Sequence, residues 1–188
     1  MLTAALVVGS VVVLGDPAHA ARNCKYFKFV KNTPNNSYLS WRRIDPISGY
    51  CKLYDSWRSG SGTNTNVCDV GDGWLPNGWY DTWGMYHHYD GSVIHGRTFR
   101  MQDKKCHNGT WRTALFIHTE ETVDNEQQCS SPYVESQCWD GTSDYYSDGC
   151  IKLGPNAGMG GAHSAWHNHG GPSGHGAFTA SDRIHVKS

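Results

Sequence analysis

Gly78-Trp79-Tyr80-Asp81-Thr82-Trp83-Gly84-Met85-Tyr86-His87-His88-Tyr89 and Ser92-Val93-Ile94-His95-Gly96-Arg97-Thr98-Phe99-Arg100-Met101, joined by Asp90-Gly91, decide the reading of the fold. Both runs are rich in aromatic and β-branched residues that suit a pleated surface, and Asp-Gly favours the positive φ angles of a tight hairpin turn. A hairpin is predicted here. Outward from it, residues 38–44 and 51–57 repeat the pattern between Gly, Asn, Asp and Pro punctuation, which reads as further strands. Residues 113–118 form a short apolar run ending in His118, and residues 182–186 look like a last strand. With 22 Gly, 8 Trp and 10 Tyr, and few runs of helical period, the composition leans to strands and turns. The chain shows no internal repeat.

Residues 2–15 are small and apolar, Asp16-Pro17 breaks the run, and Ala18-His19-Ala20 offers an A-x-A cleavage site. This is the pattern of a secretory signal peptide over residues 1–20, too short for a membrane span of roughly 20 apolar residues. Cleavage leaves roughly 165 residues, the size of one domain. A soluble, monomeric product with no membrane partner after signal cleavage is expected. The formal charge is −1, and loss of Asp16 brings it to zero. Lys and Arg are scattered without forming a stripe, which argues against nucleic acid as a partner.

All seven cysteines, Cys24, Cys51, Cys68, Cys106, Cys129, Cys138 and Cys150, follow the signal, and an exported chain meets an oxidising environment. Six can pair and one cannot. Fifteen connectivities are open once six are paired; proximity suggests Cys24–Cys51, Cys68–Cys106 and Cys129–Cys138. Residues 120–143 are polar and read as an insertion that the last of these would staple. No Cys-x-x-Cys spacing is present, so a thiolate zinc cage is not expected. The odd cysteine is either an intermolecular partner or a reactive thiol, and the count does not name which one it is.

Ser147-Asp148-Gly149-Cys150-Ile151-Lys152-Leu153 places Cys150 in a glycine turn feeding an apolar segment. Such a turn can expose a thiol and point backbone N–H groups at an oxyanion. A nucleophilic thiol needs a base or positive charge nearby. His118 suits that role, with His95 in Val93-Ile94-His95-Gly96 as the other candidate; a hydrogen-bonded core histidine is the plain alternative for His118. These segments resemble the L,D-transpeptidase catalytic domain, the cysteine enzymes that cross-link bacterial peptidoglycan. Gly73-Trp74-Leu75-Pro76-Asn77-Gly78-Trp79-Tyr80 is similar to that family's T-P-x-G-x-F/Y segment, Phe116-Ile117-His118-Thr119 to its strand ending in I-H-G, and residues 147–153 to its S-H-G-C-I-R-L signature. Asp148 stands where the family has a second His, and Thr119 where it has Gly.

The resemblance implies a mainly β, L,D-transpeptidase-like β-sandwich over residues 21–153. It implies a secreted cysteine acyltransferase at the cell wall, with peptidoglycan stem peptides as partners and no metal or organic cofactor. In that scheme Cys150 is nucleophile, His118 base, Gly149 and Cys150 oxyanion donors, and Ser147 shapes the turn. Asp148 is either a plain turn residue or an orienter of His118. Trp74, Pro76, Gly78 and Lys152 would contact substrate. A non-catalytic cell-wall or carbohydrate-binding module is the alternative from another class. Residues 154–188 are rich in Gly and His. His163, His167, His169 and His175 suggest a metal site if helical, but the glycines between Gly158 and Gly176 argue against a helix, and a disordered tail is expected there.

Overall fold

The computed structural model describes residues 24–132, 134–169, 174–175 and 183–188. The predicted signal peptide over 1–20 lies outside the described residues. Strands β1 (Lys25–Thr33), β2 (Asn36–Ile44), β3 (Cys51–Gly60), β4 (Gly78–Asp90) and β5 (His95–Met101) come first. Short strands β6 (Lys104–Lys105), β7 (Trp111–Arg112), β8 (Phe116–His118), β9 (Ile151–Leu153), β10 (Gly174–His175) and β11 (Arg183–Lys187) follow, with helix α1 (Gly161–Asn168) between β9 and β10. The protein is the mainly β single domain expected.

The main sheet runs β10-β4-β11-β1-β2-β3-β9-β8-β5, and β4 also pairs with β5. The predicted sandwich thus takes the form of one continuous sheet whose ends meet across β4. One edge of that long strand pairs with β11 and β10, and the other forms the predicted hairpin with β5. The hairpin turn is wider than foreseen, because residues 92–94 stay out of the ladder and Gly91 N–H bonds Ile94 O at 3.0 Å. β1 and β11 run parallel, with Phe27 opposite Ile184.

Alternation carries the core. Phe27 and Phe29 of β1, Leu39 and Trp41 of β2, Phe99 and Met101 of β5, and Ile184 and Val186 of β11 all point inward and are fully buried. The expected disordered tail is corrected in its first part, where a π-helical turn (Pro155–Gly160) leads into α1. Propensity loses to burial. Met159, Ala162 and Trp166 plug the interior, with Trp166 stacked 5.8 Å from Phe27 and edge-on to Phe99 at 5.3 Å. Gly161 is part of the fit, since a Cβ there would run into the Trp57 indole.

Three disulfides, Cys24–Cys51, Cys68–Cys106 and Cys129–Cys138, bear out the proximity pairing and leave Cys150 as the free thiol. They suit an oxidising, extracellular-type environment. The first ties β1 to β3, and the last closes a loop in the strandless segment after β8. Among the described residues no helix is long and apolar enough to cross a membrane.

Candidate functional site

β8 and β9 pair in parallel, with Ile117 opposite Ile151 and His118 opposite Lys152. Because successive side chains alternate across a strand, Ile117 and Ile151 enter the core and leave His118 and Lys152 on the other face. Cys150 sits one residue before β9 and opens on that face too. Cys150, His118, Lys152, Ser147 and Asp148 line one cavity of about 430 Å³, walled also by Arg112 and by Val93 and Ile94 of the hairpin turn.

The cysteine turn is held from three sides. Ser147 Oγ donates to Cys150 O at 2.7 Å and accepts from Gly62 N–H at 3.1 Å. Ser61 Oγ donates to Gly149 O at 3.3 Å. Gly149 adopts φ 95°, a left-handed conformation that favours glycine, and a Cβ there would overlap the Arg112 guanidinium. Arg112, 2% exposed, donates through Nη1 to Val67 O and Trp74 O at 2.8 and 3.1 Å. Its Nη2 reaches Gly73 O and Asp148 O at 2.9 and 3.4 Å.

Phe116 N–H donates to Cys150 Sγ at 3.3 Å, and the thiol faces Ala114 O at 3.6 Å. Ala114 has φ 55°, so the strand expected over residues 113–118 begins only at Phe116. Burial pushes the Cys150 thiol up to about 11, the Phe116 N–H opposing the rise and Asp148 adding to it. Burial, then the neighbouring Lys152 ammonium, hold His118 down at about 3. His118 Nδ1 lies 3.1 Å from Thr119 O; a carbonyl only accepts, so Nδ1 carries the proton and Nε2 keeps its lone pair. Among the described residues no imidazole nitrogen reaches hydrogen-bond distance of Cys150 Sγ. The resting pair is therefore a neutral thiol and a neutral imidazole sharing a cavity.

Several sequence assignments change place. The Thr119 carbonyl, rather than the exposed Asp148 carboxylate, orients His118. His95, the other candidate base, pairs with Asp90 at 3.1 Å and does not line the Cys150 cavity. Trp74 and Pro76 line a separate cavity, and Gly78 packs at φ 131° beside the Lys104 side chain. Arg112 carries no motif signal. Nor does Glu120, whose carboxylate pairs with Lys152 and is raised by its burial.

In the C-terminal segment α1 does put His163 and His167 on one face, but their neighbour is His87 of β4, at ring distances of 4.3 and 6.2 Å. His169 turns instead to Trp41 and Arg43. The His175 side chain lies outside the described residues. No three His, Cys, Asp or Glu side chains converge as a metal cage among the described residues.

The buried pair sets a pH window. His118 binds a proton near 6.5 when unfolded and near 3 when folded, so the unfolded state takes up more protons as pH falls through that range. Its contribution to stability is complete above about pH 6.5 and shrinks on acidification towards 3. Cys150 loses its proton near 9 unfolded and near 11 folded, so stability declines as pH rises from 9 to 11. Denaturant midpoints measured against pH should fall on both sides of this plateau. His118→Gln should flatten the acid limb, and an unchanged limb refutes the assignment.

No protein-family model matches the chain, and no curated protein resembles it in sequence. A solved structure, Bd1075 of Bdellovibrio bacteriovorus, aligns with 88% of this chain and 49% of its own length at 7% identity and a TM-score of 0.47. The chain therefore spans about half the length of that protein, and a likeness at this level carries no functional information.

Proposed function

We propose that this protein is a secreted, L,D-transpeptidase-like cysteine acyltransferase acting on peptidoglycan stem peptides at the cell wall. One observation carries the reading: an unbridged Cys150 and a tautomer-fixed His118 open into the same cavity from neighbouring parallel strands. As substrate enters, His118 Nε2 takes the thiol proton and Cys150 Sγ bonds to the carbonyl carbon between the third and fourth stem residues. The carbonyl electron pair moves to oxygen, for which this reading assigns the Gly149 and Cys150 N–H groups as donors. Collapse breaks the C–N bond, and His118 returns the proton to the departing terminal D-amino acid. An amine or water then attacks the thioester and gives its proton to His118, the C–S bond breaks, and His118 passes that proton to the departing Cys150 Sγ, which restores the thiol. No metal or organic cofactor enters this scheme.

The proposed catalyst is not a standing thiolate pair. The thiol is held up near 11 and the imidazole down near 3, so proton transfer belongs to the bound state. Carbapenem treatment should add the mass of one intact drug to Cys150, and a stem tetrapeptide should lose its terminal residue. Absence of both, with Cys150 still open to iodoacetamide, would leave a binding role. Exposed Trp79, Trp83 and Trp111 favour a carbohydrate-binding module in that case, since indole faces stack on sugars.

A further inference from the structure

We infer that the cavity formed by Trp74, Lys31, Lys105 and His107 is an anion-binding site that takes a carboxylate or phosphate group. The cavity has a volume of about 350 Å³ and is separate from that of Cys150, and Thr65 and Asn77 complete its polar wall. Lys31 is 7% exposed and lies on the inward face of β1, where Phe27 and Phe29 precede it at the same two-residue spacing. Burying an ammonium without a counter-charge is costly, yet no Asp or Glu lines this cavity.

The protein meets only part of that cost. Lys31 Nζ donates one hydrogen bond to Leu75 O at 2.8 Å and faces the Trp74 ring at 5.1 Å, but it has three protons to give. Desolvation lowers it to about 8, as expected of a cation whose partner is missing. The Trp74 indole N–H is a second buried donor without an acceptor. Lys105, from the strand pair β6–β7, and His107, from its connection, line the same cavity and add further N–H donors. An oxyanion offers these groups acceptor lone pairs and a counter-charge together; a neutral ligand supplies only the first. Val67 and Trp74 also offer their carbonyls to Arg112, so an occupant would rest one loop from the cysteine turn. The inference does not depend on chemistry at Cys150.

Thermal unfolding of the intact protein at pH 7 and fixed ionic strength, in chloride, acetate or inorganic phosphate, tests the site. Acetate or phosphate should raise the midpoint saturably and chloride should not; which of the two is stronger separates a carboxylate from a phosphate ligand. NMR titration of the Lys31 Cε protons should show its pKa rising by about one unit at saturation, equal to roughly tenfold preference of the anion for the charged lysine. Lys31→Met should lose the response. If that variant does not fold, Lys105→Ala at the exposed rim should weaken the response by about threefold or more. No saturable shift with either anion overturns the inference. So does a full response in Lys31→Met.

Discussion

Cys150→Ala is expected to lower turnover of a stem tetrapeptide by a factor on the order of 10⁴ or more, while the fold survives. The substitution removes one sulfur from a buried site, and the loss in stability should be about 1–2 kcal/mol. The only bonds given up are the Phe116 N–H and the weak contact to Ala114 O. His118→Gln should cost about 10²–10⁴ in turnover and leave the alkylation rate of Cys150 as in wild type, because it removes the proton acceptor and keeps the nucleophile. Native-state alkylation at pH 7 should be slow in both wild type and His118→Gln, since the thiol is held near 11 by burial rather than drawn down by the imidazole. Turnover unchanged in Cys150→Ala ends the acyl-enzyme reading. A His118→Gln variant as active as wild type ends the role of the imidazole alone.

Much of the fold was legible because it is written in period two. The hairpin around Asp90-Gly91 and the strand over residues 38–44 show it; residues 51–57 read as a strand from their residue types and flanking turn signals instead, since 51–56 are all exposed, and β1 was not legible, although Phe27 and Phe29 alternate with Lys28. The outward Tyr26 and Val30 blur that last pattern in sequence. Helix α1 was not legible, because Gly158 and Gly160 in the turn before it and Gly161 at its start speak against a helix in water. They serve a packed one: Gly161 makes room for Trp57, and Trp166 fills the space among Phe27, Trp41 and Phe99. The disulfide pairing followed nearness along the chain: Cys24–Cys51 joins the start of β1 to the start of β3 across β2, Cys68–Cys106 joins two loops, and Cys129–Cys138 closes one small loop.

The site was legible where its chemistry is local to a motif. Residues 147–152 and His118 come together on adjacent strands. Roles that depend on distant partners were not visible. Asp148 and Thr119 differ in type from the family pattern, but only the fold shows that a Thr119 carbonyl does the orienting. The resemblance assigns Trp74 and Pro76 to substrate contact, yet they line a cavity separate from that of Cys150.

Arg112→Met should be among the most destabilising single changes in the protein, costing about 3–5 kcal/mol. The guanidinium is buried and bonds four backbone carbonyls, of Val67, Gly73, Trp74 and Asp148. Methionine preserves most of the volume and none of the donors, so Gly73 O would be left buried without its partner and the carbonyls of Val67, Trp74 and Asp148 would lose theirs at partly buried positions. Arg112→Lys should recover only part of the loss, because one ammonium cannot span the two pairs that a planar fork reaches. Gly149→Ala attacks the same contact from the other side: its Cβ overlaps the guanidinium, and its backbone sits at φ 95°, which alanine adopts only under strain. Both changes should loosen the turn and so speed alkylation of Cys150. The discriminating measurement pairs urea midpoints with thiol reactivity. An Arg112→Met protein as stable as wild type, with Cys150 equally protected, would show that Arg112 does not clamp the cysteine turn.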